Sequence, residues 1–126
     1  MAKARILAVD DSATILEMIK AILESGGYEV ITASDGNEAL VTAREQSPDL
    51  ILLDVMLPGL DGYRVCRLLK FDQKYKHIPI IMLTAKSEEQ EMVTGLRTGA
   101  NQYLTKPVEP ERLLAAVAQE LAGTQG

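Results

Sequence analysis

Residues 51–62 read I-L-L-D-V-M-L-P-G-L-D-G, and Asp54 interrupts a run from Ile51 to Leu57 that is otherwise apolar. A strand with one wet face alternates apolar and polar residues. A solid Ile/Leu run of strand length instead marks a strand covered on both faces, as in a parallel sheet between helical layers. Burying a carboxylate at the end of such a strand is costly unless other groups compensate its charge. Either Asp54 is a solvated strand end or its partners lie elsewhere in the chain.

Four further apolar runs of strand length flank this one, at 5–9 (R-I-L-A-V), 29–33 (E-V-I-T-A), 78–83 (I-P-I-I-M-L) and 102–105 (Q-Y-L-T). Helical periodicity fills the gaps. Ile15, Met18, Ile19, Ile22 and Leu23 recur at three- and four-residue spacing over 13–25, and Gly26-Gly27 stops that helix. Further helices are expected at 37–46 and at 63–71, the latter with Val65, Cys66, Leu68 and Leu69 toward the core. The S-E-E-Q at 87–90 is a capping-box pattern opening a helix to about residue 98. Glu109-Pro110 starts the last helix, which carries Leu113, Leu114 and Val117. Strand and helix alternate five times, which predicts a doubly wound α/β sandwich around a five-stranded parallel sheet with right-handed crossovers.

A chain of 126 residues, 47% hydrophobic and 25% charged, suits one domain. Its single cysteine, Cys66, excludes an internal disulfide framework and reads as a packed thiol of a reducing compartment. Neither a signal peptide nor a span approaching ~20 apolar residues is present, so a cytoplasmic protein without membrane association is expected. The net charge of −5 argues against direct nucleic-acid binding.

In a doubly wound sheet the functional site lies beyond the carboxyl ends of the strands, where strand order reverses. Asp10 and Asp11 close the first strand, Asp54 the third, Thr84 the fourth and Lys106 the fifth. One geometric rule thus gathers residues nearly a hundred positions apart into one cleft. Three carboxylates so gathered resist simultaneous ionisation and call for a cation. Oxygen ligands without nearby histidine or cysteine suit Mg2+ or Mn2+. Lys106 adds a fixed charge able to hold a phosphoryl oxygen, and the Thr84 hydroxyl adds a hydrogen-bond donor. The set fits phosphoryl transfer onto an aspartate.

The segments V-D-D-S (9–12), L-L-D-V-M-L-P-G-L-D-G (52–62), I-M-L-T-A (81–85) and Y-L-T-K-P (103–107), in this order and at these strand ends, closely resemble a response-regulator receiver domain of two-component signal transduction, of the chemotaxis-regulator kind. The resemblance implies a (βα)5 flavodoxin-like three-layer sandwich, with residues 1–122 as the receiver domain and 123–126 as a C-terminal tail. By the same resemblance Asp54 is the phosphoacceptor and Asp11 and Asp54 are direct Mg2+ ligands. Asp10 is a ligand mainly through water, and Met56 lends its backbone carbonyl to the metal. Thr84 and Lys106 bind phosphoryl oxygens, Thr84 and Tyr103 form the switch, and Lys106-Pro107 is a cis peptide bond. Leu60, where methionine is common, and Asn101-Gln102, where an acidic pair is frequent, depart from the pattern without touching the chemistry.

The implied function is a signalling switch rather than an enzyme on other substrates, although it catalyses its own aspartyl phosphorylation and dephosphorylation. The donor is the phosphohistidine of a sensor histidine kinase or phosphotransfer protein, or a small molecule such as acetyl phosphate. The output is an altered affinity for a downstream target protein at the face of the fourth helix, fifth strand and fifth helix. Competing readings are a phosphorelay intermediate, a non-phosphorylated scaffold, and a phosphatase with an aspartyl-phosphate intermediate. The last needs a second carboxylate two residues after the nucleophile, where this chain has Met56. Met56 and Lys86, each two positions beyond a site residue, orient an attacking water poorly, so slow self-dephosphorylation is expected. His77 lies in a solvated K-Y-K-H loop and lacks the surroundings of a phosphoryl carrier. The chain acts as a monomer or a phosphorylation-dependent dimer, free-standing or within a longer protein.

Overall fold

The apolar run at the third strand divides between two cores. In a computed structural model, which describes residues 3–84 and 99–124, five strands form one parallel sheet: β1 (Arg5–Val9), β2 (Glu29–Ala33), β3 (Leu50–Asp54), β4 (Ile80–Thr84) and β5 (Gln102–Thr105). Four helices are described, α1 (Ala13–Ser25), α2 (Gly36–Gln46), α3 (Gly62–Lys70) and α4 (Pro110–Thr124). The helix expected at 87–98, together with Lys86, lies outside the described residues.

Successive residues of a strand point to opposite faces, so a strand covered on both sides must be apolar throughout. Ile6, Ala8, Leu50, Leu52, Ile81 and Leu83 pack with Ile19 and Leu23 of α1 and with Leu113 and Val117 of α4. Their neighbours Leu7, Val9, Ile51, Leu53, Ile80 and Met82 pack on the other face with Ala39 and Ala43 of α2 and with Val65, Cys66 and Leu69 of α3. The expected three-layer sandwich is therefore built with α1 and α4 on one face and α2 and α3 on the other.

Strand order is β2-β1-β3-β4-β5. The chain steps from β1 outward to β2, then returns across β1 to β3 and proceeds the other way. The order thus reverses between β1 and β3, whose carboxyl ends leave a crevice bordered by Asp10, Asp11 and Asp54.

Side-chain caps start three helices at the residues that follow the site-bearing or neighbouring strands. Ser12 Oγ accepts the Ile15 N–H at 3.3 Å, an Asp35 carboxylate oxygen that of Glu38 at 2.8 Å, and an Asp61 carboxylate oxygen that of Arg64 at 3.0 Å. The latter two caps start α2 and α3 at Gly36 and Gly62, one residue earlier than periodicity suggests. The fourth strand is shifted from the expected 78–83 to 80–84. Pro79 has no N–H for a ladder, its carbonyl accepts the Ile51 N–H at 3.0 Å, and the Ile80 N–H goes to the Asn101 side-chain oxygen at 2.9 Å. The last helix runs from Pro110 through Thr124.

Leu52 is fully buried between β1, β4 and the α1 and α4 helices. Leu52→Ala should lower the unfolding free energy by about 3 kcal/mol in urea denaturation, the cost of lost burial plus a cavity that a sheet centre cannot collapse.

Candidate functional site

The parallel register places β3 and β4 so that Asp54 pairs with Leu83, and β4 and β5 so that Thr84 pairs with Thr105. The carboxyl ends of three adjacent strands are consequently level. Asp10 follows β1 directly, held by its own N–H to the Ala33 carbonyl at 3.2 Å, and Lys106 follows β5, held by its N–H to the Thr84 carbonyl at 2.6 Å.

Asp10, Asp11 and Asp54 each place a carboxylate oxygen within 4.8 Å of the others. Asp10 and Asp54 are buried and Asp11 is exposed, so the cluster has an inner wall and an open lip. Lys106 Nζ lies 2.6 Å from Asp10 Oδ2 and 3.4 Å from Asp54 Oδ1. Backbone donors complete the inner wall: the Ser12 N–H to Asp10 Oδ1 at 2.9 Å and the Met56 N–H to Asp54 Oδ1 at 3.3 Å. The Met56 side chain itself is 60% exposed.

The loop after Asp54 folds back so tightly that one position tolerates only glycine. The Val55 carbonyl accepts the N–H groups of Leu57 at 3.2 Å and Gly62 at 3.0 Å. A Cβ on Gly62 would collide with the Asp54 carbonyl oxygen, and this close approach seats the start of α3 against the end of β3.

Burial drives the Asp54 pKa above the ordinary carboxylate value of 3.8, and the Asp10 charge pushes it further up. Lys106 and the Met56 N–H act against both without cancelling them. For Lys106 itself burial opposes the charged form, but its hydrogen bond to Asp10 and the field of Asp54 outweigh that and hold its pKa above 10.5. Lys106 therefore stays an ammonium across the physiological range. Formally, three carboxylates face one ammonium, which leaves two negative charges unmatched. An oxygen-only donor set with that deficit fits a hard divalent ion such as Mg2+ or Mn2+.

Of the residues singled out in the sequence, the structure brings together Asp10, Asp11, Asp54 and Lys106. It places Thr84, fully buried, at the same sheet edge and Met56 at the mouth of the site. Tyr103 lies farther back in β5 opposite Met82, buried within the core on the α2 and α3 side. The Lys106–Pro107 peptide bond is cis. The direct Lys106–Asp10 pair was not foreseen, since sequence order says which strand ends carry charge but not which oxygens the lysine reaches. Gly62 and the Asp61 cap were also missed as site-building residues, although D-G at 61–62 ahead of an apolar helix is a visible signal.

The model of the response regulator receiver domain family matches residues 6–118. The chain is 52% identical over 113 residues to the alkaline phosphatase synthesis transcriptional regulatory protein PhoP of Bacillus subtilis, an alignment covering 90% of this chain and 46% of that protein. It is 43% identical over 120 residues to Protein PilH of Pseudomonas aeruginosa, covering 95% of this chain and 99% of PilH. The structure matches that of the chemotaxis protein CheY4 of Vibrio cholerae with a TM-score of 0.88 at 39% identity, over 94% of this chain and 98% of that one. The chain spans about half the length of several curated relatives it matches, PhoP among them.

A raised carboxylate pKa has a definite sign for stability. Below 3.8 Asp54 is protonated in both folded and unfolded chains; as pH rises the unfolded chain ionises first, so stability falls until the folded-state pKa is passed and stays reduced above it. Asp54→Asn removes that charge. In metal-free buffer at neutral pH it should raise Tm, and the gain should vanish below the unfolded-state pKa, as read by thermal melts across pH.

Proposed function

Since this chain belongs to the response regulator receiver domain family, we propose that it is a phosphorylation-dependent switch of a two-component system, with Asp54 as the phosphoacceptor. The observation that carries this reading is the buried Asp54 carboxylate at the end of β3, flanked by Asp10, Asp11 and the Lys106 ammonium. A carboxylate oxygen of Asp54 attacks phosphorus and forms an acyl phosphate. The P–N bond of a phosphohistidine on a sensor histidine kinase or phosphotransfer protein breaks, and its electron pair returns to the imidazole nitrogen. With acetyl phosphate the breaking bond is P–O and acetate leaves.

Each neighbouring group has a part in this transfer. Lys106, already between Asp10 and Asp54, turns to a phosphoryl oxygen as negative charge accumulates there, and the Thr84 hydroxyl donates to another. Asp11 and Asp54 would hold Mg2+ or Mn2+ directly, Asp10 through water and Met56 through its carbonyl; when bound, the ion neutralises carboxylates and phosphoryl oxygens together. Thr84 and Tyr103 then act as the switch, shifting the population of conformations at the surface around β5 and α4 so that a downstream target binds differently. The segment 87–98, expected to complete that surface, lies outside the described residues. Residues 1–122 form the receiver unit of this proposal, acting in the cytoplasm.

Incubation with acetyl phosphate and Mg2+ should add one phosphoryl group by intact mass, lost in Asp54→Ala, and Lys106→Ala should slow its formation about a hundredfold. No adduct with any donor would instead indicate a scaffold, and rapid turnover of phosphate esters an enzyme.

An exposed thioether at position 56 offers no hydrogen bond to an attacking water, so the acyl phosphate should persist for minutes or longer. Decay within seconds, unchanged on replacing Met56 and Lys86, would remove this expectation.

A further inference from the structure

Basic residues concentrate in one part of the chain. Residues 63–77 hold Arg64, Arg67, Lys70, Lys74 and Lys76 against the single acid Asp72, a net +4 within a chain of −5, so all other residues together carry −9. The whole-chain charge of −5, from which the reading against nucleic-acid binding was drawn, hides this concentration.

The structure turns much of this segment into a surface. Arg64, Arg67, Leu68 and Phe71 follow one another at i, i+3, i+4 and i+7 along α3 and its C-cap, which is a single helix face. The opposite face, Val65, Cys66 and Leu69, is buried in the core. Phe71, the sole phenylalanine of the chain, is 72% exposed, and Leu68 beside it is 47% exposed. Arg44, in the last turn of α2, stands across from them, and the two helices border a shallow, open cleft of about 620 Å³ lined by Arg44, Arg67, Leu68, Phe71, Asp72 and Gln73. Asp72, at one end of the cleft, accepts the backbone N–H of Lys74 at 2.9 Å, so its carboxylate is engaged by its own turn. Among the described residues no carboxylate forms an ion pair with Arg44, Arg64 or Arg67.

We propose that this α2–α3 face docks a short acidic segment of a partner protein, its carboxylates on Arg44, Arg64 and Arg67 and an apolar side chain against Leu68 and Phe71. Arginine forks match carboxylates bidentately, and phenylalanine and arginine are both enriched at protein interfaces. The charge distribution selects the occupant. A long polyanion such as a nucleic acid, or an extended anionic membrane, would run past the patch and meet the net negative charge carried by the rest of the chain, whereas a short segment ends within it. Phe71 lies nine residues beyond Gly62, about 14 Å along the α3 axis, so the apolar anchor of the occupant sits away from the carboxylate cluster, with Arg64 at the end nearest to it.

The test uses the full chain and a short fluorescein-labelled amphipathic peptide with Glu on one helical face and Leu on the other, read by fluorescence anisotropy. The peptide should bind, more weakly as salt rises, while a Lys-for-Glu counterpart should not. Arg67→Glu and Phe71→Ala should each weaken binding about tenfold or more. Both side chains are exposed, so melting temperature and phosphoryl-adduct formation from acetyl phosphate should stay unchanged; if Phe71→Ala lowers the melting temperature, Arg67→Glu decides alone. Absence of peptide binding, or affinity indifferent to both substitutions, overturns the proposal. So does tighter binding of a DNA duplex or phosphatidylserine vesicles through the same residues, or self-association in sedimentation that Phe71→Ala abolishes.

Discussion

Asp54 ends a strand whose every residue is buried, with Asp10 buried beside it, and the Lys106 ammonium is what makes that arrangement tolerable. Removing one partner of such a buried group leaves an uncompensated charge, which is far costlier than never having built the set. The rest of the architecture follows from holding these groups in reach. Only a parallel sheet brings positions 10, 54 and 106 to one edge, and a parallel sheet requires helical layers on both faces, hence strands that are apolar throughout. The compensation is also incomplete, since one ammonium faces three carboxylates, a charge deficit that a hard divalent ion would fill.

How much of this could be read in advance differs by residue, for physical reasons. The run at 50–53 announced a doubly covered strand because both faces of β3 select the same chemistry, and Asp54 stood out against it. Asp10, Asp11, Thr84 and Lys106 could be placed because strand ends follow from apolar run length alone. The start of β4 could not, because it depends on where the Asn101 side chain and the Ile51 N–H find partners, which are contacts between distant segments. The lysine's preference for Asp10 over Asp54 is likewise a matter of ångströms between side chains. The basic face of α3 escaped notice for another reason: charge summed over a chain discards position, and helical spacing had drawn attention to the buried side of α3.

The short helix α3 meets two unrelated demands. Its first residue must be glycine because it touches the backbone of Asp54, and its last turn carries exposed arginine and phenylalanine at the other end. At physiological ionic strength the screening length is about 8 Å, shorter than the ~14 Å that separates those ends. An anionic group seated beside Phe71 is therefore largely screened from the carboxylates at the other end, whereas Arg64, two residues past Gly62, lies within their field. Positive charge at the site itself is that of Lys106, which acts at contact range on Asp10 and Asp54.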